Sequence, residues 1–305
     1  MIRVGVLRGG TGHHYNQSLS SGAYVLQNMP RDRYEPVDIF IDREGVWHMS
    51  GVPVTGEKIK HRVDLIWNAL HGHYGADGKV QRMIESLGIP YTGSDVLSSA
   101  IAQHHRLLGQ RLSDLSIKTP RGVYVEDWGG QMSAESVMDV VAHVAKKLAP
   151  PWIVKPISRG HAGSPLKCKT RDELFAVLRQ MSEHDIPIVV EEAVLGTEVC
   201  VLCVPHFRNQ KDYTFIPSVR NGTQRLSKDE SRVLQNLARD IHASLGLGQY
   251  SEMRAVVHPK QGIHIVGVET QPDMGEGSHL AQALAEVGAS FSEFVDHVAK
   301  GAMGR

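Results

Sequence analysis

The chain has 305 residues and 33 basic against 33 acidic side chains, for a formal charge of +0. That length allows two or three packed units, and the balance leaves no broad field to recruit a polyanion or a membrane surface. No run of about 18 apolar residues marks a membrane span, and "MIRVGVLRGG" lacks the basic, apolar and small-residue zones of a secretion signal. The expectation is a cytoplasmic protein that recognises its ligand locally, with no nucleic-acid or membrane partner and with a homodimer as an option.

"IRVGVL" reads as a first strand, "GGTGHHYNQ" as the loop after it and "SLSSGAYVLQNM" as the returning helix. "YEPVDIFID" and "DLIWNALHG" supply further strands, and "DGKVQRMIESLG" a further helix. Strands alternating with helices predict a mostly parallel sheet covered on both faces, with ligand loops beyond the strand C-termini, where Gly9, Gly10 and His71 fall. After Ser94 the texture changes. "SSAIAQHHRLLGQRLSDL" reads as one helix, and "GVYV", "WIVKPI" and "SPLKCKT" as short strands around the helices "AESVMDVVAHVAKKL" and "RDELFAVLRQM". "IPIVVEEAVLGTEVCVLCVP" reads as a hairpin turning at Gly196, followed by the helix "SKDESRVLQNLARDIHASLG", two facing strands through "KQG", and a terminal helix.

The fold class is thus α/β passing into α+β, divided at 1–95, 96–180 and 181–305. Cys168, Cys200 and Cys203 are too few for a disulfide framework, and "CVLC" lacks a second pair for zinc, so buried, reduced thiols are expected. Gly9 and Gly10 either admit an anion to backbone N–H groups or form a tight turn. His71, among Gly72, Gly75 and Gly78, would stand open at a strand end, and Asp77 would orient it or cap the next helix. Lys155 precedes a glycine-containing stretch with Gly160, His161 and Gly163 and can reach nucleotide phosphates, or it is a solvated strand end. Of Glu191, Glu192 and Glu198, one carboxylate can sit by an adenine amino group and another accept from ribose hydroxyls, or they are solvated at the surface. Period-two alternation places Glu252, Arg254 and Val256 on one face with Glu269 on the neighbouring strand, a one-metal site or a salt-bridged cluster.

In order and spacing, "GG…SLSSG", "NALHGHYGADG", "IPYTGSD", "WIVKP", "VVEEAVLGTE" and "VETQPDMGEGSH" resemble the D-alanine-D-alanine ligases of the ATP-grasp superfamily, over nearly all 305 residues. The resemblance implies an ATP-grasp fold with an N-terminal parallel-sheet domain. It places Lys155 on ATP phosphates, Glu191 on adenine and Glu198 on ribose. Arg254 would face the transferring phosphate and tetrahedral intermediate, Ser278 the carboxylate of the second amino acid, and His71 the substrate region. ATP would phosphorylate one carboxylate, an amine would attack the acyl phosphate, and Mg2+ or Mn2+ would bridge carboxylates and phosphates. The partners are small amino acids or another carboxylate and amine.

Several positions depart from the family pattern. Val256 and Gly267 stand where two metal carboxylates belong, and Glu269 stands for the third ligand, usually asparagine. His14 replaces a substrate-binding glutamate, and Ala76 replaces an acid. His105 replaces a nucleotide-binding lysine, with Arg106 beside it as a substitute, and "RGHA" from 159 to 162 replaces Glu-Gly-Ser-Ser. Between Pro205 and Ser227 the tyrosine- and lysine-bearing covering loop has no clear match. Glu252 and Glu269 are then the expected metal ligands, with Asp273 or Glu276 as further acids that could compensate, and joining of two D-alanines is expected to be weak. The leading expectation is an ATP-dependent carboxylate-amine ligase; the alternative is a noncatalytic ATP-grasp nucleotide-binding or regulatory protein.

Overall fold

The computed structural model describes residues 1–129, 132–158, 165–211, 213–221 and 226–304, and its strands form three sheets. The first contains β1 (Ile2–Gly9), β2 (Tyr34–Ile41), β3 (Trp47–Met49), β4 (Val52–Pro53) and β5 (Leu65–Asn68) in the order β4-β3-β2-β1-β5. β1 runs parallel to β2 and β5, while β3 and β4 add an antiparallel edge that the sequence reading did not anticipate.

Alternation along β1 divides the packing. Val4 and Val6 join a core with Val25 of α1 (Tyr15–Asn28). Leu7 faces a second core on the opposite side, with Ile59 of α2 (Gly56–Lys60). Beyond α3 (Gly72–Ala76), α4 (Lys79–Leu87) adds Val80 and Ile84 to that second core. The expected single helix around residue 104 is two, α5 (Val96–Gln103) and α6 (His105–Asp114). They break at His104, whose backbone is extended and whose ring accepts from Leu107 N–H at 3.4 Å.

The second sheet joins β6 (Gly122–Val125), β7 (Trp152–Pro156), β8 (Leu166–Cys168) and β9 (Ile188–Glu192) in the order β6-β9-β7-β8, so it draws on residues either side of position 180. Helices α7 (Ala134–Lys147) and α8 (Arg171–Glu183) cover one face, where Val137, Val141, Leu174 and Leu178 pack with Trp152, Val154 and Val190. The third sheet has the order β11-β10-β12-β13, from β10 (Thr197–Cys203), β11 (Ser218–Asn221), β12 (Ser251–His258) and β13 (Gly262–Glu269). Helix α9 (Lys228–Ser244) starts in a capping box between Ser227 and Glu230. It lays Leu234, Ala238 and Ile241, at helical spacing, on Val199, Val201, Met253 and Ala255. Helix α10 (His279–Glu286) precedes α11 (Phe291–Met303), which returns to the first sheet: Phe294, Val295 and Val298 pack with Val4, Val6 and Trp67.

The expected hairpin at Gly196 is corrected. β9 and β10 enter different sheets, joined by residues 193–196, and β10 pairs with β12 instead. A Cβ at Gly196 would lie 2.2 Å from the Val257 carbonyl oxygen, so only glycine permits this approach to β12.

Candidate active site

The faces of the second and third sheets turned away from these helices mix charged side chains with apolar ones such as Ile153, Val256 and Val266. Those faces enclose a cleft of about 710 Å³, lined by Lys155, Glu191, Glu198, Arg254, Val256 and Glu269 among others, with His13 and His14 contributed by the loop after β1.

On the second sheet, Lys155 and Glu191 lie on adjacent strands offset by two positions, which puts their side chains on one face. Both are buried and they form an ion pair, with His105 Nδ1 3.9 Å from the other Glu191 oxygen. Glu192, the next residue, also borders the cleft and accepts from Arg121 Nη2 at 2.8 Å. The role expected of Arg106 as a substitute nucleotide ligand is corrected: its guanidinium is ion-paired with Glu126 and lies over the Tyr124 ring, outside the cleft lining, while His105 faces the cleft. The first residue of α6 turns inward and the second outward.

On the third sheet, Arg254 spans two acids. Its Nε donates to Glu252 Oε1 at 3.2 Å, and a terminal nitrogen lies 3.6 Å from Glu269 Oε1. Burial opposes the guanidinium charge, but Glu269 and then Glu252 outweigh it and raise its pKa. Glu252 and Glu269, the two acids expected to hold a metal, both converge on Arg254, so a shared metal would compete with that guanidinium for them. Glu269 lines the cleft, whereas Glu252, 5% exposed, lies deeper. Val256 contributes only carbon and Gly267, opposite Arg254 in the ladder, no side chain. Mg2+ can bind through one or two carboxylates plus phosphates, so Glu269 fits as a single protein ligand but a cage does not form here.

His71 is not the open imidazole expected. It is 6% exposed, its Nδ1 lies 3.0 Å from the Gln271 carbonyl oxygen, and its Nε2 lies 2.8 Å from Ser21 Oγ. Ser21 Oγ also lies 3.0 Å from Asp273 Oδ1 and accepts from Met274 N–H at 3.1 Å, so this histidine joins α1 to the segment after β13. Burial lowers its pKa and favours the neutral ring. Asp77 accepts from Lys79 N–H at the start of α4, and Gly10 N–H goes to Ile41 O, which supports the turn and cap readings. Ser278 is the N-cap of α10, accepting from Ala281 N–H at 3.3 Å, and its hydroxyl keeps a proton to donate. The segment 159–164, with Gly160, His161 and Gly163, lies outside the described residues.

Cys200 and His279 were missed as site residues. Cys200 lines the cleft beside Arg254, and His279 Nδ1 stands 3.8 Å from Glu252 Oε2. The sequence signal for His279 was its place directly after Ser278; for Cys200 it was the same strand parity as Glu198.

Comparison with known proteins follows the same lines. The profile described as D-ala D-ala ligase N-terminus matches residues 49–94. The D-alanine-D-alanine ligase of Geotalea uraniireducens is 27% identical over 314 residues, covering 97% of this chain and 94% of that protein. The structure of the D-alanine-D-alanine ligase from Coxiella burnetii superposes with a TM-score of 0.87 at 20% identity, covering 100% of this chain and 96% of the other. That of the D-alanine-D-alanine ligase from Bacillus anthracis complexed with ATP gives a TM-score of 0.80 at 23% identity, covering 100% and 98%. The similarity runs along nearly the whole of both sequences, and the architecture of this chain is the fold of these ligase structures.

Proposed function

We propose that the chain is an ATP-dependent ligase that joins the carboxylate of one small amino acid to the amine of another. The observation that carries this reading is the convergence of Lys155, Glu191, Glu198 and Arg254 on one cleft between the second and third sheets. ATP in that cleft exchanges its phosphate charge for the Glu191 partner of Lys155, and Glu191, once released, accepts from the adenine amino group. Glu198 accepts from ribose hydroxyls. A substrate carboxylate oxygen attacks the γ-phosphorus and ADP leaves. The amine of the second substrate then attacks the acyl carbon, loses its proton, and phosphate departs. Arg254 meets the negative charge that develops at the transferred phosphoryl group and at the tetrahedral carbon. Mg2+ or Mn2+ supplies charge screening of the phosphates when held by Glu269.

The experiment is to incubate the protein with ATP, Mg2+ or Mn2+ and pairs of D-amino acids, measuring ADP and dipeptide together. Amide and ADP formed one to one support the ligase. With Val256 and Gly267 at metal positions and His14 near the substrate end, D-alanine with D-alanine should be a slow pair. Val256 and Gly267 also favour a second reading, a noncatalytic nucleotide binder. ATP binding without amine-dependent ADP release from any pair would select it.

A further inference from the structure

Cys200 projects from β10, Glu252 from β12 and His279 from the first turn of α10. Sulfur, carboxylate oxygen and imidazole nitrogen all lie within 4.8 Å of one another. The ladder explains the first two: Cys200 faces Arg254 and Leu202 faces Glu252, so Cys200 and Glu252 are diagonal neighbours on one side of the sheet. Ser278 caps α10 and so fixes the turn that carries His279 to them.

The two oxygens of Glu252 have separate tasks. Oε1 receives Arg254 Nε at 3.2 Å, and Oε2 faces His279 Nδ1 at 3.8 Å. Glu252 can therefore ligate through Oε2 without releasing Arg254. In a tetrahedral site with bonds of about 2.0–2.3 Å, ligand atoms stand roughly 3.3–3.8 Å apart. The Glu252–His279 separation already falls there, and the sulfur needs to approach by at most about 1 Å, within a side-chain adjustment. One thiolate, one imidazole and one carboxylate make the donor set of a borderline-soft ion; Mg2+, which prefers oxygen throughout, is selected against.

We propose that Cys200, Glu252 and His279 bind a divalent zinc-like cation, at a place distinct from the cleft carboxylate Glu269. The sulfur-metal bond forms as the thiol proton leaves to solvent; the thiolate and Glu252 then share their negative charge between the ion and the guanidinium groups of Arg254 and Arg220 beside them. Three protein ligands leave a fourth position for water or a small ligand. Burial keeps His279 neutral, the form that ligates.

The test uses the full chain, stripped with a chelator and free of nucleotide and amino acids, titrated with Co2+ as a spectroscopic probe and with Zn2+ in competition. Because neither ATP nor substrate is present, the result is independent of the ligase reading. One equivalent of Co2+ should give a thiolate-to-cobalt charge-transfer band that Zn2+ removes. The band should vanish in Cys200→Ser and persist in Cys168→Ser and Cys203→Ser. Loss of an outer partner of a ligand costs about 10–100-fold in affinity, so His279→Gln, which removes a ligand itself, should weaken Zn2+ binding at least that much. Circular dichroism of the metal-free variants separates lost binding from lost folding; if Cys200→Ser unfolds, the partly exposed His279→Gln decides. Absence of the band in the wild type, or unchanged binding in folded His279→Gln, overturns the proposal.

Discussion

Lys155 and Glu191 form a buried ion pair across neighbouring antiparallel strands, and it closes one wall of the cleft. Removing one partner strands a charge in a poorly solvated place, whereas removing both does not. Glu191→Gln should lower the free energy of unfolding by about 3 kcal/mol, and adding Lys155→Met should restore most of it. Urea titrations of the two single variants and the double variant measure the coupling; additive losses would show that the pair contributes nothing as a pair.

Arg254→Ala should impair turnover more than nucleotide binding. Loss of one donor to developing negative charge costs about 3 kcal/mol, or about a hundredfold in kcat. Matched ATP titrations and steady-state assays check this. Weakened ATP affinity with unchanged kcat would place Arg254 in ground-state binding instead.

Gly196→Ala places a methyl group against the Val257 carbonyl oxygen, which belongs to the backbone of β12 and cannot rotate away. The expected loss is about 1–3 kcal/mol, read as a lower Tm. Gly129→Ala, whose Cβ would meet nothing within 4 Å, controls for crowding, though its positive φ carries a small cost of its own.

Acidification should act through His71. Burial lowers its folded pKa below the ordinary 6.5, against the opposing charges of Asp273 and Glu269, with His14 adding to the lowering. The unfolded chain then binds more protons in the window beneath 6.5, so this contribution is fully present above that value and is lost as pH falls. Thermal unfolding from pH 7.5 to about 5 should show a falling Tm, and His71→Gln should flatten that slope. An equal slope in the variant would assign the acid sensitivity to other groups.

The element order was legible because helices and strands announce their own periodicity, as with Leu234, Ala238 and Ile241 on α9. Lys155, Glu191, Glu198 and Arg254 were legible as cleft residues because each sits on a strand whose alternate positions are apolar. What failed depends on partners distant in sequence. Nothing local tells β9 and β10 to part company, since the decision rests on which strands each one meets. Arg106 could be separated from His105 only by the rotation of α6, and Glu252 from Glu269 only by the guanidinium between them. His71 looked open because its surrounding glycines were visible, while Ser21 and Gln271, 50 and 200 positions away, were not.

The return of α11 to the first sheet bears on how the protein is made. Val4, Val6 and Trp67 are made well before α11, whose Phe294, Val295 and Val298 complete the core around them. Arg33 and Tyr34 likewise wait for Asp296, which they meet at 2.7 Å and 3.0 Å. Until α11 is made, the face of the N-terminal sheet that α1 covers in part keeps apolar surface open, which chaperones hold and which aggregates when they do not. A ribosome stalled shortly before Phe291 would therefore carry a nascent chain with every strand present and its first sheet still unsealed.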